Sequence, residues 1–577
     1  MFAPLALLTL LAPLGAGCES TPPASDTDAG IDASMEVVDA GTDAGPPDPD
    51  VCGMLSLPTV PMREGTGNSL GEVAGDFTVH ELDGRVWRLS DHWSGCESYV
   101  FLNYIPDLRA TPSGPWEGDV LFGTTLDTLF NAGGRNTQYF FTSFEETESA
   151  RVERMNALRA TLEEGLGLWL ENEEDRELWR TRFHFVVDRA TEIEGSPGAY
   201  LNDYMAYLRT PESIEDLGDS GRAQAPLPFV FAIDRAQTFD PGGNLSPYVG
   251  ASSEIGMAAY FGLFYDHRQA LDTRLSSETG VTEVTLLDER TTGRVFTRPV
   301  MLPDAAAMAA FDTLEIDIEI TCDDRNPFAC SEWDRIADVQ LCMNEDCSQR
   351  REIARWITPY WRVGRQRWAI DASPFLALLR EGGTRSFFVE LGPEWERATE
   401  WVARVELRFS TRGGEPLASG AELAFGGGAF DATYNMREPY RFTPPAGATR
   451  VELVTILSGH GQTDGDNCAE WCDHRHTFSV NGTALPAIMH EGSRIGAPRG
   501  CAVRASEGVV PGQWGNWAQS RAYWCPGLPV EARRTDITSM VRLGEENELT
   551  LRGALTSAEP RGGDIALSAY VVWYGAP

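Results

Sequence analysis

Lysine is absent from this chain, and all 47 basic residues among its 577 are arginine. This absence excludes lysine Schiff bases, the phosphate-binding lysine of a P-loop and serine-lysine catalytic pairs. Positive charge is outnumbered, because 86 acidic residues against these arginines give a formal net charge of -39. Such a balance argues against nucleic acid as a partner and against docking of basic patches on anionic lipid.

The cysteine pattern argues against two further kinds of site. No Cys-x-x-Cys pair occurs among the eleven cysteines, although zinc sites and dithiol redox sites commonly contain one. We expect neither a metal nor any other cofactor. An exported chain uses its cysteines as disulfides. With Cys18 set aside as a lipidation site, proximity along the chain predicts five pairs: Cys52–Cys96, Cys322–Cys330, Cys342–Cys347, Cys468–Cys472 and Cys501–Cys525.

The N-terminal apolar run, residues 1–17, is too short to span a bilayer comfortably and ends in small residues before Cys18. It resembles a bacterial lipoprotein signal peptide, in which the cysteine becomes the lipidated first residue; plain secretion is the alternative. Residues 18–51 are acidic and repeat Asp-Ala-Gly, so we expect a disordered linker. The predicted location is lipid-anchored at the bacterial outer membrane or cell surface, or otherwise secreted or periplasmic.

Residues 52–275 alternate segments of strand and helix character, which indicates an α/β sheet. Their opening, Gly75 to Asp91, resembles the first hairpin of thioredoxin-like proteins. The next elements are predicted as strands and one long helix: Tyr99–Tyr104, Thr137–Ser143, Glu148–Leu170 (helix), Phe183–Asp188 and Pro228–Asp234. The turn Ile105–Pro112 contains no cysteine, although redox chemistry needs a thiolate there. We interpret this region as a thioredoxin-like domain without its reaction.

From about Glu283 onward, short alternating segments are separated by Gly, Pro and Asp, which is typical of antiparallel β-sandwiches. We assign residues 280–412 to one jelly-roll sandwich and residues 413–577 to a second. The predicted fold class is therefore multidomain, with an α/β thioredoxin-like N-terminal domain followed by two antiparallel β-sandwich (jelly-roll) domains.

Two short disulfide loops draw attention to acidic residues. The first, Cys322–Cys330, ends shortly before Asp334. The adjacent Arg335 can keep the Asp334 carboxylate ionised and ready to take a proton from water. The second, Cys468–Cys472, encloses Glu470 and Trp471. A loop this small stabilises a fold by only about 2 kcal/mol, so positioning of the enclosed side chains is the better explanation for it.

Several distinct motifs follow one another in this part of the chain: Cys330-Ser-Glu-Trp-Asp-Arg335, Glu352 to Trp361, Ser458-Gly-His-Gly461, Cys468-Ala-Glu-Trp-Cys472 with His476, Gly515-Asn-Trp517, and Arg521-Ala-Tyr-Trp-Cys-Pro-Gly527. In these motifs the chain resembles the peptide-N-glycosidase F family, bacterial amidases that remove N-glycans from asparagine. The resemblance implies two eight-stranded jelly rolls with the active site in the cleft between them.

The resemblance also implies residue roles. Asp334 matches the essential aspartate, Glu470 the second catalytic acid, and Arg521 the arginine that joins them and should hold both ionised at neutral pH. The third acid is predicted at Glu390, with Glu394 as the alternative. The predicted substrate-binding residues are Arg335, Trp333, Trp395, His460, Trp471 and Trp524, of which His460 stands where the family has tryptophan.

The predicted function is an exported amidase that acts, as a monomer, on N-glycosylated proteins or peptides. It would contact a membrane only through its lipid anchor. Two alternatives belong to other classes: a surface glycan-binding protein without activity, and a copper monooxygenase with the same paired jelly rolls. The pair His474 and His476 has the strand spacing of copper or zinc ligands, but too few suitably spaced histidines accompany it.

Overall fold

The computed structural model describes residues 50–106, 110–111, 114–115, 125–207, 229–248, 253–291, 294–322, 330–331, 333–392, 401–413, 417–461, 467–490, 499–556 and 558–575. All of these belong to one unit, Asp48–Pro577. The predictions of a signal peptide, of a lipidated Cys18 and of an acidic linker up to residue 49 lie outside the described residues, as do Glu394 and Trp395. No helix in the described ranges has the length and apolar character needed to cross a membrane.

The N-terminal region is α/β, as its alternating sequence pattern predicts. Its strands are β1 Phe77–His80, β2 Val86–Arg88, β3 Ser98–Tyr104, β4 Ala110–Thr111, β5 Gly114–Pro115, β6 Thr137–Ser143, β7 Phe183–Arg189, β8 Glu194–Gly195, β9 Val230–Ile233 and β10 Phe239–Gly243. Its helices are α1 Val51–Leu55, α2 Leu89–His92, α3 Leu126–Ala132, α4 Glu148–Trp169, α5 Glu173–Arg180, α6 Ser196–Tyr207 and α7 Ala259–Ser277.

The main sheet of this region has the order β10-β9-β3-β6-β7, with β3, β6 and β7 parallel. Every residue of β3 and β6 is buried, because helices cover parallel strands on both faces. Helix α4 begins where the Thr147 side chain accepts a hydrogen bond from the Ala150 backbone N–H, and it buries Met155, Leu158 and Leu162 on one face. The resemblance to thioredoxin-like proteins stays a prediction.

Two β-sandwiches follow. The strands of the first are β11 Thr282–Thr291, β12 Val295–Asp304, β13 Thr313–Cys322, β14 Ile336–Cys342, β15 Arg350–Ile357, β16 Gln366–Asp371, β17 Gly382–Glu390 and β18 Trp401–Ser410, with the short helix α8 at Ala305–Met308. They form the sheets β11-β18-β13-β16 and β12-β17-β14-β15, the second of which is extended by β25, Leu528–Pro529. Alternate residues of β13, Leu314, Ile316, Ile318 and Ile320, are buried between the sheets.

The second sandwich contains β19 Ala418–Ala429, β20 Tyr440–Phe442, β21 Ala448–His460, α9 Cys468–Trp471, β22 His474–Val480, β23 Thr483–Ala484, β24 Ile488–His490, β26 Ala532–Asp536, β27 Asn547–Leu555 and β28 Asp564–Gly575. Its sheets are β19-β28-β21-β26 and β20-β27-β22-β23, with β24 paired to β22. Short 3-10 helices occur at Ala190–Glu192, Ile255–Ala258, Ser373–Leu379, Ala502–Glu507 and Thr538–Met540.

The two sandwiches are joined through buried polar contacts. Arg355 of β15 donates hydrogen bonds to the Ser458 Oγ atom, at 2.9 Å, and to the Ala566 carbonyl, at 2.8 Å. The Tyr570 hydroxyl donates to the Glu352 carbonyl at 2.8 Å. Strand β25 lies in the C-terminal part of the sequence, between strands of the second sandwich, but it pairs with β15 of the first. The two sandwiches are therefore also joined at this sheet edge.

Five disulfides are present, Cys52–Cys96, Cys322–Cys330, Cys342–Cys347, Cys468–Cys472 and Cys501–Cys525. The pairing is the one that sequence proximity predicts. Three of the bridges close loops of fewer than ten residues, and two of those three lie directly beside the acidic residues singled out above.

Candidate active site

Asp334 is fixed by the two strands that flank it. It lies two residues before β14, and the backbone N–H of Arg335 donates to the Thr358 Oγ atom at 2.8 Å, directly after β15. The Trp361 backbone N–H donates to the Ser331 carbonyl at 2.7 Å. These bonds hold the turn carrying Asp334 against the segment that contains Tyr360.

Glu470 lies on α9, a single turn closed by the Cys468–Cys472 disulfide, with 4.5 Å between the two Cα atoms. One carboxylate oxygen, Oε2, accepts the backbone N–H of Gly461 at 2.8 Å. The other, Oε1, accepts from Arg521 Nε at 2.9 Å. Both oxygens are therefore oriented by groups outside the disulfide loop.

Arg521 joins the two acids. Its Nε atom is 2.9 Å from Glu470 Oε1 and 3.6 Å from Asp334 Oδ2. The guanidinium carbon lies 4.8 Å from the ring centroid of Trp471 and 5.0 Å from that of Trp524. The arginine side chain is fully buried. Three segments that are distant in sequence thus converge on one cation.

Tyr360 is the member of this group that sequence reasoning missed. Its hydroxyl donates to Asp334 Oδ2 at 2.7 Å and accepts from Arg521 Nη2 at 2.9 Å. A tyrosine has no charge pattern that would single it out. The one available signal was its position inside the motif from Glu352 to Trp361.

Burial decides the protonation of the two acids. Desolvation raises the pKa of Asp334, against the lowering effects of the Arg521 charge and of the Tyr360 hydrogen bond. Burial and the nearby Asp334 charge raise the pKa of Glu470 to about 7. Arg521 therefore does not keep Glu470 fully ionised at neutral pH, because one buried cation does not offset the desolvation of two anions.

The two acids keep a small exposure to solvent. The side chains of Asp334 and Glu470 are 12% and 11% exposed, and the neighbouring Trp333 is 50% exposed. Trp471 is partly buried beside Arg521. An exposed indole next to a nearly buried acid is an arrangement that can hold an apolar ring face beside a reacting group.

Two predicted substrate contacts are placed differently from expectation. Trp524 is only 3% exposed, its Nε1 donates to the Gly459 carbonyl at 2.7 Å, and its ring stacks on His460 at 4.9 Å. Because Arg521 and His460 cover the ring, the structure does not favour the predicted stacking of Trp524 on a sugar face. Arg335 is 8% exposed, and its charge acts on Asp334 by lowering that pKa.

His460 is partly buried at the end of β21. Burial and the charges of Arg355 and Arg521 lower its pKa to about 3, so its ring is neutral. Its Nε2 atom is 2.8 Å from Ser458 Oγ. The residue lies within the site region through its stacking on Trp524, and its predicted contact with substrate stays a prediction.

Glu390 belongs to a second acidic group. It ends β17 directly opposite Asp338 of β14. The pKa of Asp338 is raised well above the usual range, mainly by burial and then by the charges of Glu352 and Glu390. Gly392, two residues further on, lies against the side chains of Arg294 and Arg335. The catalytic assignment of Glu390 stays a prediction.

The histidine pair considered as copper ligands is buried in the second sandwich. His474 and His476 have ring centroids 5.4 Å apart, and His490 and Tyr523 pack against them. Within the described ranges, no group of three or more His, Cys, Asp or Glu is arranged to hold a metal ion. The copper monooxygenase stays an untested alternative.

The fold and the site define a mostly β-sheet multidomain protein with two buried acids bridged by one arginine. Residues 430–572 match the family model described as "Peptide-N-glycosidase F, C terminal". The chain is 27% identical over 243 residues to peptide-N(4)-(N-acetyl-beta-D-glucosaminyl)asparagine amidase F of Elizabethkingia miricola. That alignment covers 40% of this chain and 64% of the relative.

Among solved structures, PNGase F from Flavobacterium meningosepticum is 21% identical, covering 51% of this chain and 96% of that one with a TM-score of 0.41. The PNGF-II structure in space group C2 is 9% identical and covers 53% of this chain and 68% of that one, with a TM-score of 0.40. The two sequence matches support a relationship of the C-terminal half of the chain to the peptide-N-glycosidase F family.

Proposed function

We propose that this protein hydrolyses the amide bond between an N-glycan and the asparagine side chain of a glycoprotein or glycopeptide. The observation that carries the proposal is the convergence of Asp334, Tyr360, Glu470 and Arg521 at one partly open site. The similarity of the C-terminal half to peptide-N-glycosidase F supports the choice of substrate.

Amide hydrolysis needs a base for water, stabilisation of charge on the carbonyl oxygen, and an acid for the leaving nitrogen. Asp334 in its ionised form removes a proton from water as the water oxygen bonds to the carbonyl carbon. Arg521 supplies fixed positive charge beside the developing negative charge. Glu470, whose pKa is about 7, carries a proton in a substantial fraction of molecules at neutral pH. It gives that proton to the glycosylamine nitrogen as the carbon–nitrogen bond breaks.

The products are an aspartic acid side chain, which then releases its proton to water as aspartate, and a free glycosylamine. One proton has then moved from water to Asp334 and another from Glu470 to the leaving nitrogen. The enzyme returns to its starting state when Asp334 loses its proton and Glu470 gains one. Tyr360 and Arg521 lie between the two acids. The exposed Trp333 ring is suited to contact a sugar face next to this bond.

The test uses a denatured N-glycoprotein, with mass analysis of the peptide and the glycan. Conversion of the glycosylated asparagine to aspartate, unaffected by a chelator, is the expected result. Asp334→Asn should abolish it, whereas Asp346→Asn, on an exposed hairpin, should not. A single GlcNAc left on asparagine would indicate an endoglycosidase, and an unchanged peptide would indicate a glycan-binding protein; either outcome rejects the amidase.

We also propose that the chain is exported and anchored through Cys18. The five disulfides support export, because they form and persist in oxidising compartments. Labelling of the expressed protein with a radioactive fatty acid tests the anchor. Wild type should be labelled and Cys18→Ser should not, whereas an unlabelled wild type would indicate plain secretion.

A further inference from the structure

The N-terminal α/β region touches the segment that leads to Arg521. We name residues 240–247, which include the end of β10, the bracing segment. The backbone N–H of Asn244 donates to the Gly512 carbonyl at 2.9 Å, and the Ala518 N–H donates to the Pro247 carbonyl at 3.2 Å. Trp517 Nε1 donates to the Ser246 carbonyl at 3.1 Å. Three bonds thus hold residues 512–518, just ahead of Arg521.

A buried ion pair makes a fourth connection. Asp240 of β10 accepts from Arg362 Nη2 at 2.9 Å, and both side chains are 1% exposed or less. The same guanidinium donates through Nε to the Pro511 carbonyl at 2.8 Å. Arg362 follows Tyr360 by two residues, so the pair links the bracing segment both to the Tyr360 turn and to the segment before Arg521.

The braced residues hold the site residues directly. The Tyr360 backbone N–H donates to Gln513 Oε1 at 3.1 Å, and the Trp514 N–H donates to the Tyr360 carbonyl at 3.3 Å. Arg521 Nη1 donates to the Gln519 carbonyl at 2.9 Å. Each contact from the bracing segment therefore lies within one hydrogen bond, or within a few residues along the chain, of Tyr360 or Arg521, which orient Asp334 and Glu470.

The backbones of the two regions also approach each other closely. A Cβ atom on Gly243 would lie 2.2 Å from the Gly512 carbonyl oxygen, and Gly512 itself has φ near +80° with Phe261 beside it. The buried cores of the N-terminal region and the first sandwich form one cluster. A lid or a loosely tethered docking module would instead meet its neighbour through a smaller, more polar interface.

We propose that the bracing segment is a positioning element of the active site, so that the N-terminal α/β region is part of the amidase itself. This inference rests on the proposed function. Its physical reason is that displacement of a reacting group by about 1 Å can cost on the order of 100-fold in rate. Asp240 is the positioning residue, because it acts through Arg362 on Tyr360 and on the chain before Arg521.

The test compares Asp240→Leu, Arg362→Met and the double variant in the full-length chain. Asp240 also lies 3.4 Å from Arg268 Nη1, and Arg268 is bound to Asp234 at 2.6 Å. Each single variant therefore removes one partner from a buried charge and should lower the melting temperature, whereas the double variant removes both charges of the pair, leaves Arg268 bound to Asp234, and should recover part of the loss. If the brace positions the site, the double variant should still show kcat lowered about 10-fold or more, with KM nearly unchanged. Recovery of kcat together with the melting temperature would overturn the proposal.

Hydrogen exchange separates this inference from the proposed function, because it needs no turnover. In the double variant, amides of residues 508–522 and of Tyr360 should exchange faster than in wild type, while exchange in β22 stays the same. Arg441→Gln, which breaks an exposed ion pair in the second sandwich, is the control and should change neither exchange nor kcat. Unchanged exchange in the double variant would overturn the positioning role of the bracing segment. If exchange is faster in the double variant but the wild-type protein does not cleave glycopeptides, the amidase proposal is overturned instead.

Discussion

The Tyr360 hydroxyl donates a hydrogen bond to Asp334 Oδ2 at 2.7 Å while it accepts one from Arg521. A buried acid is thus linked to a buried cation through a neutral group. This relay favours the ionised form of Asp334, although desolvation acts in the opposite direction. In the proposed reaction, Asp334 acts in its ionised form beside the protonated form of Glu470, whose pKa is about 7.

Tyr360→Phe should lower kcat about 10-fold or more and shift the acidic limb of the pH–rate profile to higher pH. The reason is that loss of the hydroxyl removes a bond that lowers the pKa of Asp334. The measurement is kcat/KM on a glycopeptide from pH 4 to 9. Tyr440→Phe, which loses an exposed bond to Glu422, is the matched control. An unshifted acidic limb would contradict the assigned role.

The wild-type profile itself should be bell-shaped. Activity should fall in acid as Asp334 takes up a proton, and it should fall above about pH 7 as Glu470 loses the proton that it gives to the leaving nitrogen. Because the two acids interact, the two midpoints belong to the pair. A flat profile between pH 7 and 9 would show that Glu470 does not act as the acid.

Asp338→Asn should stabilise the fold at neutral pH. The pKa of Asp338 is raised in the folded state, so its contribution to stability is present below the unfolded value of about 3.9 and is lost as the pH rises. An asparagine cannot ionise, and we expect a gain of ~1.4 kcal/mol for each unit of that shift. Denaturant unfolding at pH 7 and at pH 3.5 measures the effect, which should vanish in acid. The control is Asp288→Asn, exposed on β11, and an unchanged variant at pH 7 would contradict the prediction.

Removal of the Cys468–Cys472 disulfide should affect turnover more than stability. A loop of this length contributes about 2 kcal/mol, and the similar loop of Cys342–Cys347 contributes about the same. Double serine variants of each pair should therefore unfold alike. Only the Cys468–Cys472 variant should lose kcat, because it releases the turn that carries Glu470. Equal activity in both variants would show that the disulfide does not position the acid.

Much of the architecture could be predicted from local patterns. The strand Thr137–Ser143 and the helix from Glu148 agree with prediction to within a residue, because buried parallel strands and amphipathic helices leave a periodic signal. The convergence of Asp334, Glu470 and Arg521 was expected from the motifs that resemble the family. Tyr360 left no such signal, and the burial of Trp524 could not be read from an aromatic residue beside a cysteine.

By itself, the sequence determined which titratable side chains are available, the succession of an α/β region and two sandwiches, and the cysteine pairs, since each depends on residue type or on neighbours along the chain. Only the tertiary structure decided that Glu470 has a pKa near 7 and that Tyr360 stands between Asp334 and Arg521. It also brought the bracing segment against the Arg521 segment. Desolvation and contact between distant segments depend on how the whole chain is packed, and no local pattern encodes them.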